Sequence, residues 1–341
     1  MPICLAAIPK LPHADRVKHR SIPPSPRRIV LVVDPAAVSQ SALEKTARLA
    51  RAFRARVLVY ACDHREGLDG PAGAALRRAA LAAGERELEA LAAESLRGVR
   101  AEVCYELGHP RAERILAAVN RARGELVVVA AQHHAAARRT LFSAADWPLI
   151  RDCPVPLLYA KTPRWPAAPR IAAAVDPLHP ADPRALLDRA LVARARALAR
   201  ALRGSLSIVH AWLPLEPAIV GPMALGLPAG ASAAVERALG AAEARAARAV
   251  GALARGGRPA ASVVLLRGAA VDTLPGFAEL EALDVLALGA VSRSRLYEAL
   301  IGATAERLLE RVPCDLLVVK APRAAWRRKA PRGGRRRRSA V

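Results

Sequence analysis

The chain of 341 residues is poor in rings: three Phe, four Tyr and four Trp make up 3% of it, against 53% for the apolar class as a whole. A core built from such a sequence has to be aliphatic, with Ala, Leu and Val filling space by close packing instead of large flat side chains. Long hydrophobic runs are also missing. The strand-like stretches are cut by Asp, Pro or Arg within a few residues, well short of the roughly 18–20 apolar residues of a spanning helix. The start, MPICLAAIPKLPHADRVKHR, has one short apolar patch broken by Pro2 and Pro9 and no basic region ahead of it, unlike a secretory signal, so a cytoplasmic location is expected.

Cysteine is sparse and unpatterned. Cys4, Cys62, Cys104, Cys153 and Cys314 are odd in number and lack CxxC spacing, and four of them fall in or beside predicted strands. There Cys serves as a small buried hydrophobe, which suits a reducing cytoplasm and gives no metal site. Catalytic signatures are absent too: the sequence has no GxSxG, HExxH or GxxxxGK[ST], and no paired acids in a recognisable setting. The expectation is a protein that is not an enzyme, with slow ATP hydrolysis in the second half as the single variant to entertain.

Only six of the 53 basic residues are Lys, and the formal net charge is +23. Abundant Arg, Ala, Gly and Pro accompany GC-rich coding, so part of this charge reads as genomic composition. Its location is more informative. Residues 321 to 341 carry nine Arg or Lys and no acid, and residues 1 to 28 carry six basic groups against Asp15, so the ends hold more than half of the net charge. The tail AWRRKAPRGGRRRRSAV is dense enough to attract nucleic acid or an anionic surface through counterion release; a solvated, disordered tail is the other reading.

What the sequence does have is a repeat. RIVLVVDP at 28–35 and RIAAAVDP at 170–177 are apolar on both faces, as strands of a parallel sheet are, and each precedes an Ala/Leu/Arg stretch of helical spacing. Further strands follow in each half: RVLVYAC and LSIVHAW, 101–107 and 262–267, ELVVVA and DVLALG, then VPLLYAK and CDLLVVK, with long helices at about 74–97 and 232–255. Residues 107–161 match 266–320 at a constant offset of 159, with Leu141/Leu300, Pro154/Pro313, Leu157/Leu316, Leu158/Leu317 and Lys161/Lys320 identical, the mark of an internal duplication. Pro163, Pro166 and Pro169 forbid a helix between the halves and favour an extended linker.

The organisation expected is a flexible basic N-terminus (1–26), domain 1 (27–161), a Pro-rich linker (162–169), domain 2 (170–321) and a disordered Arg-rich tail (322–341). Each domain is an α/β, doubly wound, five-stranded parallel sheet of Rossmann-like order 3-2-1-4-5. The ligand crevice of such a fold lies beyond the carboxyl ends of the strands, where Asp34 and Asp176 stand.

The segments TLFSAADWPLIRDCPVPLLYAK (140–161) and LGAVSRSRLYEALIGATAERLLERVPCDLLVVK (288–320) resemble the domain endings of the universal stress protein family, in its tandem two-domain E-type form. The resemblance spans residues 27–320. It implies a stress-response protein acting by ligand or partner binding, with the two domains packed as an internal pseudo-dimer across their fifth strands. Nucleotide-binding members carry Gly-x2-Gly-x9-Gly-(Ser/Thr) after the fourth strand and an Asp after the first; glycines admit phosphates to backbone amides at a helix N-terminus. Here the second half has Gly289, Ser292, Gly302 and Ala303, with the hydroxyl moved to Thr304, and the first half has Ala130, His133, Ser143 and Ala144. The candidate set is Asp176, Ala211, Gly289, Ser292, Gly302, Ala303 and Thr304. No cofactor is expected, ATP being admissible in domain 2 only. In the alternative, structural reading of the same residues, the glycines permit a turn and a close helix approach, and Asp176 caps the first helix of domain 2.

Three other features invite chemistry. His133 and His134 are adjacent in a loop, a poor geometry for chelation. Trp147 stands where a phosphate loop otherwise lies and reads as packing. The apolar stretch LPLEPAIVGPMALGLPAG (213–230) either packs against the other domain or lids a pocket for an apolar ligand.

Overall fold

The computed structural model describes residues 23–63, 71–109, 111–130, 146–180, 182, 184–213, 231–289 and 303–320. In the first half β1 (Arg28–Val33), β2 (Arg56–Asp63), β3 (Ala101–Leu107), β4 (Leu126–Ala130) and β5 (Leu157–Ala160) alternate with α1 (Gln40–Phe53), α2 (Pro71–Ser95), α3 (Arg111–Arg121) and α4 (Asp146–Asp152). The second half repeats this with β6 (Arg170–Ala174), β7 (Ser205–Trp212), β8 (Ala261–Arg267), β9 (Val285–Gly289) and β10 (Asp315–Val319). Its described helices are α5 (Leu186–Leu202), α6 (Ala231–Ala254), α7 (Ala270–Leu280) and α8 (Ala303–Arg311).

Each half has the order 3-2-1-4-5 with parallel neighbours. The halves do more than pack. β5 and β10 pair antiparallel, Leu158 opposite Leu317, so a single ten-stranded sheet runs through the molecule. Both strands are fully buried, and pairing satisfies backbone groups that an exposed edge would leave open. Because this one pair is antiparallel, the carboxyl ends of the strands in one half lie on the same side as the amino ends in the other.

Burial on both faces explains the unbroken apolar strands. One layer sets α1, α2, α5 and α6 against Leu31, Val59, Val128, Ile171 and Val285; the opposite layer sets α3, α4, α7 and α8 against Val30, Tyr60, Val127, Leu286 and Leu316. In α1 the buried Leu43, Thr46, Ala47 and Ala50 repeat at helical spacing; Ser39 Oγ accepts from Ala42 N–H at 3.2 Å to start it, and Arg54 ends it in the left-handed region. Trp147 is half-buried and packs against the core layer beneath α3, α4, α7 and α8.

The linker is an ordered strap. Ser41, Glu44, Lys45 and Arg48 form one stripe of α1. Ser41 Oγ donates to Thr162 O and Pro163 O at 2.6 and 2.7 Å, Glu44 pairs with Arg164 at 2.7 Å, and the Arg48 guanidinium donates to the carbonyls of Trp165, Pro166 and Ala167.

Candidate functional site

In both halves the first and fourth strands are neighbours whose following helices lie on opposite faces, and the crevice opens beyond their carboxyl ends. In the first half Val32, Val33, Asp34, Ser39, Leu43 and Ala130 line a small concavity there. Asp34 is engaged on both oxygens: Oδ2 accepts from Arg111 Nη1 at 2.9 Å and Oδ1 from Ala36 N–H at 3.0 Å. Its carboxylate thus pins the loop after β1 to the start of α3.

In the second half the strand registers, carried two residues past the end of β6, set Asp176 level with Ala211 and Val175 level with Gly289, so the three stand within a residue of one another in height. Ser292 and Gly302 lie outside the described residues, as do His133, His134, Ser143, Ala144 and residues 214–230. Ala303 and Thr304 open α8. Asp176 is not the cap of α5. The N-cap residue is Ala185, whose side chain makes no cap bond; Asp182, three residues earlier, accepts from Leu186 and Leu187 N–H at 3.1 and 3.0 Å, while Asp176 N–H donates to Asp188 Oδ1 at 3.1 Å. The connection after β6 runs through residues 175–185, longer than the 34–39 connection after β1, and moves the helix start away from Asp176, which a fixed distance from the strand end could not anticipate.

The extra length has a second effect. α1 and α5 both end at a left-handed Arg, Arg54 and Arg203, yet α5 has 17 residues and α1 has 14, so α5 begins nearly a turn earlier. Leu187 belongs to that added turn and lies against Gly289: a Cβ at 289 would sit 2.7 Å from Leu187 Cδ2. The glycine makes room for the chain's own leucine at the position where the family motif makes room for phosphate.

Sequence reasoning missed three groups. His210, buried in β7, has Nδ1 2.9 Å from Val175 O and ties the ends of β6 and β7 together. Lys161 and Lys320 cap helices of the opposite half: Lys161 Nζ donates to Leu309 O and Val312 O at 2.9 and 2.6 Å, and Lys320 Nζ to Arg151 O and Cys153 O at 2.6 and 2.7 Å. Burial pushes both ammonium groups down to about 8. Their identity at offset 159 was visible as duplication; its purpose, reciprocal cations at helix C-termini, needed the fold.

The third group is Asp315, fully buried where β10 meets the strap. Oδ2 receives Lys45 Nζ at 2.6 Å and Trp165 Nε1 at 2.8 Å; Oδ1 receives the N–H groups of Lys161 and Thr162 at 2.8 and 2.7 Å and the Thr162 hydroxyl at 2.9 Å. Burial pushes the Lys45 ammonium down and Asp315 opposes that shift. At offset 159 the counterpart is Pro156, so this cluster exists on the linker side alone.

The four described cysteines are buried free thiols; desolvation raises Cys153 to about 11 and Cys314 to about 12. Among the described residues no group of three or more His, Cys, Asp or Glu is arranged to hold a metal, and no helix is long and apolar enough to cross a membrane.

The model of the Universal stress protein family matches residues 26–161 and 169–320. The chain belongs to the universal stress protein family. It is similar to Universal stress protein E of Salmonella typhi, 28% identical over 207 residues covering 58% of this chain and 61% of the relative. It also resembles a Universal stress protein E homolog of Haemophilus influenzae, 29% identical over 185 residues covering 53% and 57%. The matched region thus spans about three fifths of these relatives' length. Among solved structures, a universal stress protein from Archaeoglobus fulgidus superimposes with a TM-score of 0.57 at 14% identity, covering 85% of this chain and 98% of that one. A functionally unknown protein from Pseudomonas aeruginosa PAO1 gives 0.61 at 21%, covering 89% and 95%. These likenesses establish that the universal stress protein fold is present twice.

Proposed function

We propose that this chain is a cytoplasmic stress-response protein that works by binding a ligand or a partner and not by catalysis, with phosphate loops that no longer cradle ATP. The observation that carries the reading is Leu187 over Gly289, which puts an aliphatic side chain where the family motif needs open glycine backbone. In the first half Ala130 replaces the corresponding glycine and Arg111 already holds Asp34. Neither crevice among the described residues contains a nucleophile beside a base, which supports a role without turnover. Four buried thiols suit a reducing cytoplasm.

The rival is ATP held in domain 2 by Asp176, Ala211, Gly289, Ser292, Gly302, Ala303 and Thr304. It requires the first turn of α5 to withdraw. Titration calorimetry of the full chain with Mg-ATP decides between them: the proposal expects no saturable heat up to millimolar nucleotide. Saturable binding in the micromolar range, or ATP or ADP released from protein purified out of untreated cell extract, overturns it.

A further inference from the structure

The amino edge of the first half collects arginines that backbone pairing forces together. Arg56 N–H donates to Arg27 O at 2.9 Å, Val57 N–H to Arg100 O at 2.9 Å, the Arg51 guanidinium to Arg97 O at 2.8 Å, and Arg28 Nε to Arg123 O at 2.7 Å. Arg54 ends α1 one residue before this row. Arg27, Arg51, Arg54, Arg56, Arg97, Arg100 and Arg123 are all exposed. No carboxylate pairs with any of these seven side chains among the described residues. Glu125, the acid nearest the centre, is taken by Arg28 at 2.6 Å, and Glu94 and Glu102 stand on the bordering elements.

Composition alone does not produce this row, because the duplicated half supplies a control with the same Arg bias. Arg28 stands opposite Arg56, but Arg170 stands opposite Ser205; Ala101 and Ala261 open the equivalent third strands after Arg100 and Ala260. Arg123 and Ala282 occupy the same left-handed position before the fourth strand, and Pro169 replaces Arg27. The sister edge keeps exposed Arg200 and Arg203 at the end of α5 and Arg255 and Arg258 in the loop before β8, but has no arginine at the places of Arg27, Arg56 and Arg123. That edge lies on the opposite side of the sheet and also carries Glu281 and Asp284, the latter accepting from Arg170 N–H.

We infer that the amino edge of domain 1 is a docking surface for the phosphate backbone of duplex nucleic acid. Adjacent strands are about 4.8 Å apart, so the row from β3 to β4 spans roughly 15 Å, with a second tier from the α1 and α2 ends, enough to meet several phosphates. Guanidinium forks match phosphate geometry. Among the described residues the exposed large apolar side chains, Val38, Leu76, Leu178, Leu213, Val263 and Leu280, all lie off this edge, which disfavours insertion into a lipid surface. Among the described residues no exposed ring stands there to stack single-stranded bases.

Fluorescence anisotropy of a short mixed-sequence DNA duplex with the full chain, across a salt series, tests this. The double variant Arg56→Ser plus Arg100→Ala installs residues that the sister edge already tolerates, so folding is retained, as far-UV circular dichroism will confirm. It should weaken binding at low salt by about ten-fold and lower the magnitude of the log-affinity against log-salt slope by about 1.8, near 0.9 per lost phosphate contact. The inference is overturned by absence of duplex binding at low salt, by affinity and slope unchanged in the variant, or by binding that vanishes on deleting residues 323–341 while this edge is intact. Tighter binding to phosphatidylserine vesicles than to the duplex overturns it as well.

Discussion

Replacing Asp315 by Asn tests whether the strap and the two halves form one energetic unit. The substitution keeps the side chain's shape but removes the charge facing Lys45, whose side chain is 2% exposed and whose ammonium is 2.6 Å away. The amide also turns a donor toward Trp165 Nε1 and Lys45, or toward the three donors on Oδ1. Breaking one partner of a buried pair costs about 3–5 kcal/mol, because the remaining charge stays desolvated, against a total stability of about 5–15 kcal/mol for a typical fold. With a urea m-value of about 3 kcal/mol/M the midpoint should fall by about 1 M or more. Urea unfolding followed by circular dichroism and by Trp fluorescence, to which buried Trp165 contributes, measures it. The parent protein should unfold in one coincident transition, since the sheet is continuous across β5 and β10. Adding Lys45→Met to Asp315→Asn should recover at least about 1 kcal/mol, because no ammonium is then stranded. A midpoint shift below about 0.3 M, or no recovery in the double variant, would refute the assignment of a charged lock.

Lys161 and Lys320 titrate near 8 in the folded chain and near 10.5 when unfolded, so above pH 8 the unfolded chain binds more protons and stability rises with pH. The rise should be seen from pH 8 to 9, before the raised Cys153 and Cys314 oppose it, and Lys161→Met should remove up to about 1 kcal/mol of that gain in pH-dependent urea melts. Gly289→Ala should destabilise by about 1–3 kcal/mol through overpacking against Leu187, and thermal melts of the Gly289→Ala, Leu187→Ala double variant should show less than additive loss. In a Cys4→Ser background the four buried thiols should react with a thiol reagent only at the rate of unfolding; fast labelling of the folded chain would contradict their burial.

Much of the fold was legible because its signals are local. Strands apolar on both faces, such as RIVLVV and RIAAA, announce a parallel sheet covered by helices, and the constant offset of 159 announces that the layout occurs twice. The candidate set included Asp176, Ala211 and Gly289, and the strand registers place these three near one another beyond the carboxyl ends of β6 and β9. Asp182 on the first N–H groups of α5 and Leu187 over Gly289 were not legible, since both depend on where α5 begins after a lengthened connection. Nor could Lys161, Lys320 and Asp315 be read as more than strand-end residues. Their partners, including the strap donors to Asp315, are about 150 or more positions away in the chain.

The sequence by itself determined two copies of one layered α/β unit, because hydrophobic periodicity and turn chemistry act over a few residues and need no partner. Only the tertiary structure decided that the copies share one sheet, that the linker is fastened along α1, and that seven arginines from separated segments line a single edge. Those outcomes depend on which distant backbone groups pair, and pairing across such separations leaves no periodic trace in the chain.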